Sequence, residues 1–277
     1  MPSVRAVLKI VTQRLAGITE TPRFEAELLL AHVTGWRKVQ LLTRMDESVD
    51  GEALEPLVLR RLACEPIAYI LGTWEFFSLE LAIEAPLLVP RPETEHLVEV
   101  ALSHIPSAGG RVLDLCTGTG CVALALAHNA KAATIWATDV SDVAVRVASK
   151  NARQHKLPIQ IAQGDLFGAL PPGTGPFDVI VSNPPYVEEG EWDTLSADIR
   201  EYEDPGALLS GEDGLNCIRS IVDEAPKWLL PEGLLALEIG EGQGAAVLAL
   251  LDARGFVDTA IVKDLADHDR IAHGRWA

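Results

Sequence analysis

The chain has 277 residues, of which 48% are hydrophobic, so it can form one large domain or two smaller ones with a sizeable core. Its formal net charge of −17 argues against free nucleic acid as the main partner, because phosphate binding needs clustered Lys and Arg. Residues 1–73 carry equal numbers of acidic and basic side chains, so the whole acidic excess lies in residues 74–277. An acidic surface favours a basic partner, although the charge fits a role in solubility equally well.

The cysteines show no pattern of a metal site or a disulfide framework. Cys64, Cys116, Cys121 and Cys217 form no C-x-x-C pair and have no His at metal-ligand spacing. We therefore expect free thiols in a reducing compartment and no bound metal. The sequence has no signal-peptide core and no apolar run long enough to span a bilayer. These features predict a cytoplasmic protein without a membrane partner.

Residues 1–73 are predicted to form a small helical domain. Apolar residues recur at helical spacing from Val4 to Leu15, and Gly17 can end this helix. Further helices are predicted over residues 24–32 and 54–62. The domain carries no catalytic constellation, so a scaffold role and a substrate-docking role both fit it.

Residues 74–90 are predicted to be a β-hairpin linker, because residues 76–83 have strand composition with partial alternation. A helix should follow through Leu97 and Leu102, with Thr94 as its N-terminal cap or Pro92 stiffening the approach. Residues 91–277 then form the second domain.

From Arg111 onwards, strand patterns alternate with helix patterns. The predicted strands are 111–115, 134–138, 158–162, 177–182, 234–239, 257–263 and 270–276, and the predicted helices are 120–128, 142–155, 214–229 and 244–253. This alternation predicts an α/β fold with a doubly wound, mostly parallel sheet and an antiparallel edge.

A turn of small residues joins the first of these strands to a helix, and it consists of Cys116, Thr117, Gly118, Thr119 and Gly120. Small residues let a ligand approach the backbone, and the start of a helix offers unpaired N–H groups. The turn is not a P-loop, since no Gly-Lys-Ser/Thr follows, and it lacks the third Gly of a dinucleotide site.

Acidic residues end the next two strands. Asp139 lies 19 residues after Gly120, where a carboxylate can accept from both hydroxyls of a ribose. Asp165 can accept from an adenine amino group, while Leu166 and Phe167 can cover the ring. An ordinary strand-end or solvated Asp is the competing interpretation at both positions.

The stretch Asn183-Pro184-Pro185-Tyr186 ends the fourth strand, where two prolines stop the sheet and place a carboxamide on a rigid rim. A plain Pro-Pro turn is the alternative. Because ligands bind at this edge of open α/β sheets, the four strand ends together predict a nucleoside cofactor site. No Lys is placed for phosphate binding, so an adenosine without phosphates fits better than a nucleotide. S-adenosylmethionine is therefore the candidate cofactor.

These motifs resemble the class I S-adenosylmethionine-dependent methyltransferases and, most closely, the HemK/PrmC family of protein-(glutamine-N5) methyltransferases. The resemblance covers nearly the whole chain and is carried by residues 24–32, 65–72, 90–95, 114–120, 183–186, 238–244 and 263–270. It implies a seven-stranded Rossmann-like sheet and methyl transfer to the glutamine of the Gly-Gly-Gln loop of peptide chain release factors. A monomer is expected, and the product of the cofactor would be S-adenosylhomocysteine.

The resemblance also assigns roles to residues. Cofactor binding falls to Cys116, Thr117, Gly118, Thr119, Gly120, Asp139, Asp165, Leu166 and Asn183. Asn183, Pro184 and Tyr186 would be catalytic, and Asn183, Pro184, Pro185 and Tyr186 would bind the substrate. Residues 91–95 would shape the pocket near the methionine end.

Two positions depart from the family pattern. Cys116 stands where many class I enzymes have the first Gly of the turn, and we expect it to keep a negative φ with slightly less room in the site. The order Glu203-Asp204-Pro205 also differs from the usual Glu-Pro order.

Two alternative functions remain open: a ribosomal-protein glutamine methyltransferase and a nucleic-acid adenine-N6 methyltransferase, which would act on a flipped base. A non-catalytic binding protein is disfavoured by the intact motifs.

Overall fold

A computed structural model describes residues 1–277. The helices are α1 (Val4–Leu15), α2 (Pro22–Thr34), α3 (Lys38–Thr43), α4 (Glu55–Leu62), α5 (Ile67–Leu71), α6 (Glu95–His104), α7 (Cys121–Asn129), α8 (Asp142–His155), α9 (Ala197–Tyr202), α10 (Asn216–Glu224) and α11 (Gly244–Arg254). The strands are β1 (Thr73–Phe76), β2 (Leu79–Ala82), β3 (Arg111–Leu115), β4 (Thr134–Asp139), β5 (Ile159–Gln163), β6 (Phe177–Ser182), β7 (Leu229–Glu238), β8 (Phe256–Lys263) and β9 (Asp269–Trp276). None of these helices is long and apolar enough to cross a membrane.

The chain divides into two compact units. One comprises Met1–Thr73 with Ser196–Tyr202, and the other comprises Trp74–Leu195 with Glu203–Ala277. In this division the predicted linker, residues 74–90, falls within the second unit. The three-part domain organisation expected from the sequence stays a prediction.

In the first unit, residues that favour helix termini lie at the start of α1 and at both ends of α2. Ser3 caps α1 by accepting a hydrogen bond from the Ala6 N–H at 3.3 Å. Pro22 occupies the first turn of α2, and Gly35 ends that helix with a left-handed φ of 68°. Inside the unit, the Arg61 guanidinium pairs with the Glu25 carboxylate at 2.7 Å, and both side chains are almost fully buried. Loss of either partner would leave an unpaired buried charge.

The second unit is built on a seven-stranded sheet in the order β5-β4-β3-β6-β7-β9-β8. The strands from β5 to β7 are parallel, whereas β9 runs antiparallel to both of its neighbours, β7 and β8. The helices form two groups, since α7 contacts both α6 and α8, and α10 contacts α11. The predicted α/β, doubly wound, mostly parallel sheet is thus confirmed, and its antiparallel strand lies one place in from the edge.

The start of α6 differs from the prediction. Residues Pro92–Thr94 form a 3-10 turn that leads directly into α6, and Thr94 has a helical backbone with no side-chain cap bond. The predicted Thr94 cap is therefore wrong. Its hydroxyl instead accepts a hydrogen bond from the Asn183 side chain.

Candidate active site

A cavity of about 300 Å³ opens at the carboxyl ends of β3, β4, β5 and β6. Since these strands are parallel neighbours, their ends meet at one edge of the sheet, as the sequence predicts. The cavity is lined by residues from all four predicted strand ends, which are Cys116 to Thr119, Asp139, Asp165, Leu166, Asn183 and Pro185.

The turn after β3 contains two glycines with different tasks. A Cβ built on Gly118 would meet no protein atom within 4 Å, so this position faces open space in the cavity. A Cβ on Gly120 would lie 2.6 Å from Leu124 Cδ1 and 3.0 Å from Ala148 Cβ. Gly118 therefore leaves room for a ligand, whereas Gly120, which does not line the cavity, lets α7 pack closely.

Cys116 has a φ of +57°, so the expected negative φ is wrong. The left-handed conformation costs a non-glycine residue about 1 kcal/mol, which the surrounding structure must offset. The Cys116 thiol forms a hydrogen bond with the Cys217 thiol, which raises the pKa of Cys116 and lowers that of Cys217. Burial raises the pKa of Cys116 further, so its thiol keeps its proton.

Asp114 near the end of β3 holds the same turn through hydrogen bonds. Its Oδ2 accepts hydrogen bonds from the Thr117 hydroxyl at 2.6 Å and from the Ala123 N–H at 3.1 Å. The side chain is only 1% exposed, and burial raises its pKa from 3.8 to about 7. Sequence reasoning missed this residue, although a charged residue inside an apolar strand was the available signal.

Asp139 joins β4 to the turn after β3. Its Oδ2 accepts from the Gly118 N–H at 2.8 Å, and its Oδ1 accepts from the Ser141 N–H at 2.9 Å. Burial raises the pKa of this carboxyl group. The Val140 N–H also bonds to this carboxylate, but the roughly four acceptor sites of the carboxylate exceed these three donors. Since the residue lines the cavity, a ligand hydroxyl can still donate to it.

Asp165 and Leu166 line the cavity at the end of β5, where a 3-10 turn begins. Phe167 does not cover a ligand ring there, so that expectation is wrong. Its side chain is 1% exposed and stacks on Trp228, with ring centroids 5.8 Å apart in the core. Leu166 therefore faces the cavity, whereas its neighbour Phe167 faces the core.

The Asn183-Pro184-Pro185-Tyr186 stretch follows β6 directly. The Asn183 Nδ2 donates to Thr94 Oγ1 at 3.3 Å, which leaves the amide oxygen without a protein donor. Asn183 and Pro185 line the cavity, whereas Pro184 is buried. The Tyr186 hydroxyl donates to Glu238 Oε1 at 3.4 Å, and burial raises the pKa of Tyr186.

One wall of the cavity comes from two segments that sequence reasoning did not assign to cofactor binding. Leu87, Leu88 and Pro90 lie in the first segment, and Asp204, Gly206 and Ala207 lie in the second. An Arg91–Glu203 ion pair at 2.7 Å joins the two segments. The Asp204 N–H also donates to the Pro86 carbonyl at 2.8 Å. After the unusual Glu203-Asp204-Pro205 order, Pro205–Ala207 form a 3-10 turn at the cavity wall, and the Asp204 side chain caps it by accepting from the Gly206 N–H.

The chemistry of this lining fits a nucleoside without phosphates. No Lys or Arg lines the cavity, whereas Asp114, Asp139, Asp165 and Asp204 do. A polyphosphate would be repelled by these carboxylates, while hydroxyl, amino and cationic groups find acceptors.

Comparison with known proteins places the chain in a family. The protein family described as "PrmC N-terminal domain" matches residues 6–72, and the family described as "Methyltransferase small domain" matches residues 94–199. The release factor glutamine methyltransferase of Neisseria gonorrhoeae is 41% identical over 94% of this chain and 96% of its own. This chain belongs to the release factor glutamine methyltransferase family.

A second member of the family, from Burkholderia pseudomallei, is 44% identical over 91% of each chain. Among solved structures, a 16S rRNA methyltransferase of T. thermophilus in complex with AdoMet and guanosine has a TM-score of 0.53. The two proteins share 19% identity over 74% of this chain and 50% of that one, which shows a common fold. The predicted family and the methyltransferase fold are therefore confirmed.

Proposed function

We propose that this protein transfers a methyl group from S-adenosylmethionine to the side-chain nitrogen of the glutamine in the Gly-Gly-Gln motif of peptide chain release factors. The observation that carries this proposal is the Asn183 amide, which lines the cavity with its Nδ2 held by Thr94. Its oxygen is thereby left to accept from a substrate NH2 group.

The cofactor fits the cavity through groups that the chain supplies. Asp139 would accept from the ribose hydroxyls and Asp165 from the adenine amino group, with Leu166 against the ring. The turn from Cys116 to Gly120 would let the cofactor approach the backbone, most closely at Gly118. The acidic lining suits a cation, and S-adenosylmethionine supplies a methyl group on a positively charged sulfur.

Asn183 and Pro184 would act on the substrate nitrogen. An amide nitrogen is a weak nucleophile because its lone pair is delocalised into the carbonyl. The Asn183 oxygen and the Pro184 carbonyl would accept hydrogen bonds from the NH2 group, orient it and stabilise the positive charge that develops on it. The prolines hold these acceptors on a rigid rim, so little reorganisation is needed during the reaction. Tyr186 and Pro185 would pack against the substrate amide.

The helical unit would dock the release factor, and the enzyme would work as a cytoplasmic monomer. Free nucleic acid is not a proposed substrate, because the second part of the chain carries the whole net charge of −17.

The test is incubation with labelled S-adenosylmethionine and purified release factor, ribosomal protein or DNA. Label is expected on the release factor and is expected to be lost when the Gly-Gly-Gln glutamine is changed to Ala. Asn183→Ala should remove most activity with cofactor affinity retained, whereas Asn129→Ala, the same change away from the cavity, should stay active. Label on DNA, or label that survives the glutamine substitution, would overturn the proposal.

A further inference from the structure

Gln243 lies outside the cavity, immediately before α11, where it occupies the N-cap position. Ser, Thr, Asp and Asn are preferred there, because a short side chain can accept from the first N–H groups of the helix. The Gln243 side chain makes no such capping bond. A poor capping residue at this position points to another task for its amide group.

The Gln243 amide joins three segments at the carboxyl edge of the sheet. Its Nε2 donates to the Tyr186 carbonyl at 2.9 Å and, at 3.5 Å, to the Asp213 carbonyl. Its Oε1 accepts from the Gly240 N–H at 2.9 Å. One side chain thereby connects the Asn-Pro-Pro-Tyr rim after β6, the turn after β7 and the loop before α10.

The partners of Gln243 fix the orientation of its amide group. A backbone N–H can only donate and a carbonyl oxygen can only accept. The reversed amide would therefore set two donors against each other at Gly240 and two acceptors against each other at Tyr186. Only the observed orientation satisfies both contacts, so the NH2 group holds the Tyr186 carbonyl.

Two glycines let the backbone close around this amide. A Cβ on Gly214, whose φ is +68°, would overlap the Tyr186 carbonyl oxygen and lie 2.7 Å from Gln243 Nε2. A Cβ on Gly240 would lie 3.1 Å from Gln243 Oε1 and 3.3 Å from Tyr186 Cδ2. A side chain at Gly214 would displace the carbonyl or the amide, so the close approach depends on glycine there.

The rim needs support from a side chain because its two prolines have no N–H to donate. Strand β6 ends at Ser182, and Val187 after the rim forms a parallel bridge with Leu209. The Gln243 bond to the Tyr186 carbonyl lies between these two points of backbone pairing. It therefore ties the rim to the end of the neighbouring strand, β7.

We propose that Gln243 is a positioning residue, which acts through the Tyr186 main chain to hold the Asn183 oxygen and the Pro184 carbonyl in place for the substrate nitrogen. The catalytic part of this inference rests on the proposed function, whereas the anchoring of the rim is a property of the free protein. Because Gln243 does not line the cavity, its loss should misplace the two acceptors and leave cofactor binding intact.

The kinetic test uses two variants of similar length. Gln243→Glu keeps an acceptor for the Gly240 N–H but sets an oxygen against the Tyr186 carbonyl, and Gln243→Met removes both hydrogen bonds. Each should lower kcat by about tenfold to a hundredfold with little change in KM for the release factor, because a displacement of about 1 Å can cost about a hundredfold in rate.

Gln154→Glu is the matched control. The Gln154 Nε2 also donates to a backbone carbonyl, that of Glu80 at 3.3 Å, but on the exposed surface and outside the cavity. This variant should keep the wild-type kcat. Melting temperature and cofactor affinity, measured by calorimetry, should stay close to the wild type in Gln243→Glu, which separates misplacement of the rim from misfolding and cofactor loss.

A second measurement observes the Tyr186 carbonyl without substrate. The chain has three tyrosines, so protein labelled with ¹³C at the tyrosine carbonyl gives three signals, and that of Tyr186 is identified by its absence in Tyr186→Phe. A carbonyl carbon signal responds to hydrogen bonding. The Tyr186 signal should therefore shift in Gln243→Glu and in Gln243→Met, and it should not shift in Gln154→Glu.

The outcomes distinguish the two proposals. A wild-type protein that labels no release factor overturns the proposed function, and the Tyr186 carbonyl signal still decides the anchoring. If the wild type is active, an unchanged kcat in both Gln243 variants overturns the positioning role, and so does a loss of cofactor affinity as large as the loss of kcat. A Tyr186 signal that is the same in the wild type and in both Gln243 variants overturns the anchoring itself.

Discussion

The buried Asp114 should make the stability of the sheet unit depend on pH in a measurable way. Its pKa rises from 3.8 to about 7 on folding, because burial disfavours the charged form. Between these values the folded state keeps a proton that the unfolded state releases, so stability falls as the pH rises through this range. At about 1.4 kcal/mol per pKa unit, the free energy of unfolding should fall by about 4 kcal/mol over this pH range.

Asp114→Asn removes this titration while keeping an acceptor for the Thr117 hydroxyl and the Ala123 N–H. The free energy of unfolding, measured by urea titration without cofactor, should shift in favour of the variant by about 4 kcal/mol between pH 4 and pH 8. Any constant offset from altered hydrogen bonds cancels in that difference. Asp223→Asn, the same change at an exposed position, should track the wild type at every pH. Parallel curves for Asp114→Asn and the wild type would refute the reasoning.

Three further changes test the site and its support. Asp139→Asn should weaken cofactor binding about tenfold, measured by calorimetry, and should leave kcat at saturating cofactor little changed. A cofactor affinity equal to that of the wild type would contradict the proposed role of Asp139. Gly120→Ala should lower stability by about 1–3 kcal/mol, because its Cβ would clash. Gly118→Ala, at a position that has a left-handed φ of +54° but no clash, should lower stability by only about 1 kcal/mol and should also weaken cofactor binding. Asn151→Ala removes three buried hydrogen bonds, to the N–H and carbonyl of Ala82 and to the Thr119 carbonyl. The free energy of unfolding of Asn151→Ala should be roughly 3 kcal/mol lower than that of the control variant Asn129→Ala. A free energy of unfolding that is no lower than that of Asn129→Ala would contradict this prediction.

Local patterns were sufficient to predict most of the sheet and the four strand ends. The turn from Cys116 to Gly120 and the rim from Asn183 to Tyr186 were predictable because each follows an apolar strand that the next residues cannot continue. The parallel order then brings these ends to one edge without further information. Asp139 and Asp165 are found at the cavity for the same reason.

Features that depend on distant contacts were not predictable. The wall formed by Leu87 and Ala207 depends on an ion pair between Arg91 and Glu203, which are 112 residues apart. Phe167 was placed at the ligand because a strand end alone does not show which neighbour faces the core. The positive φ of Cys116 reflects the turn as a whole, which overrides the preference of one residue.

The thiols at the cavity have a consequence for chemical selectivity. S-adenosylmethionine, the proposed cofactor, is an alkylating agent, and a cysteine thiolate is a far better nucleophile than a glutamine amide. Cys116 and Cys121 both line the cavity, but the hydrogen bond of Cys116 to Cys217 and the burial of Cys121 raise their pKa values, that of Cys121 to about 12. Thiols that keep their protons react slowly. For Cys116 and Cys121, the retained proton therefore disfavours methylation by the proposed cofactor, whereas Cys217, which also lines the cavity and has a lowered pKa, is the thiol most open to it.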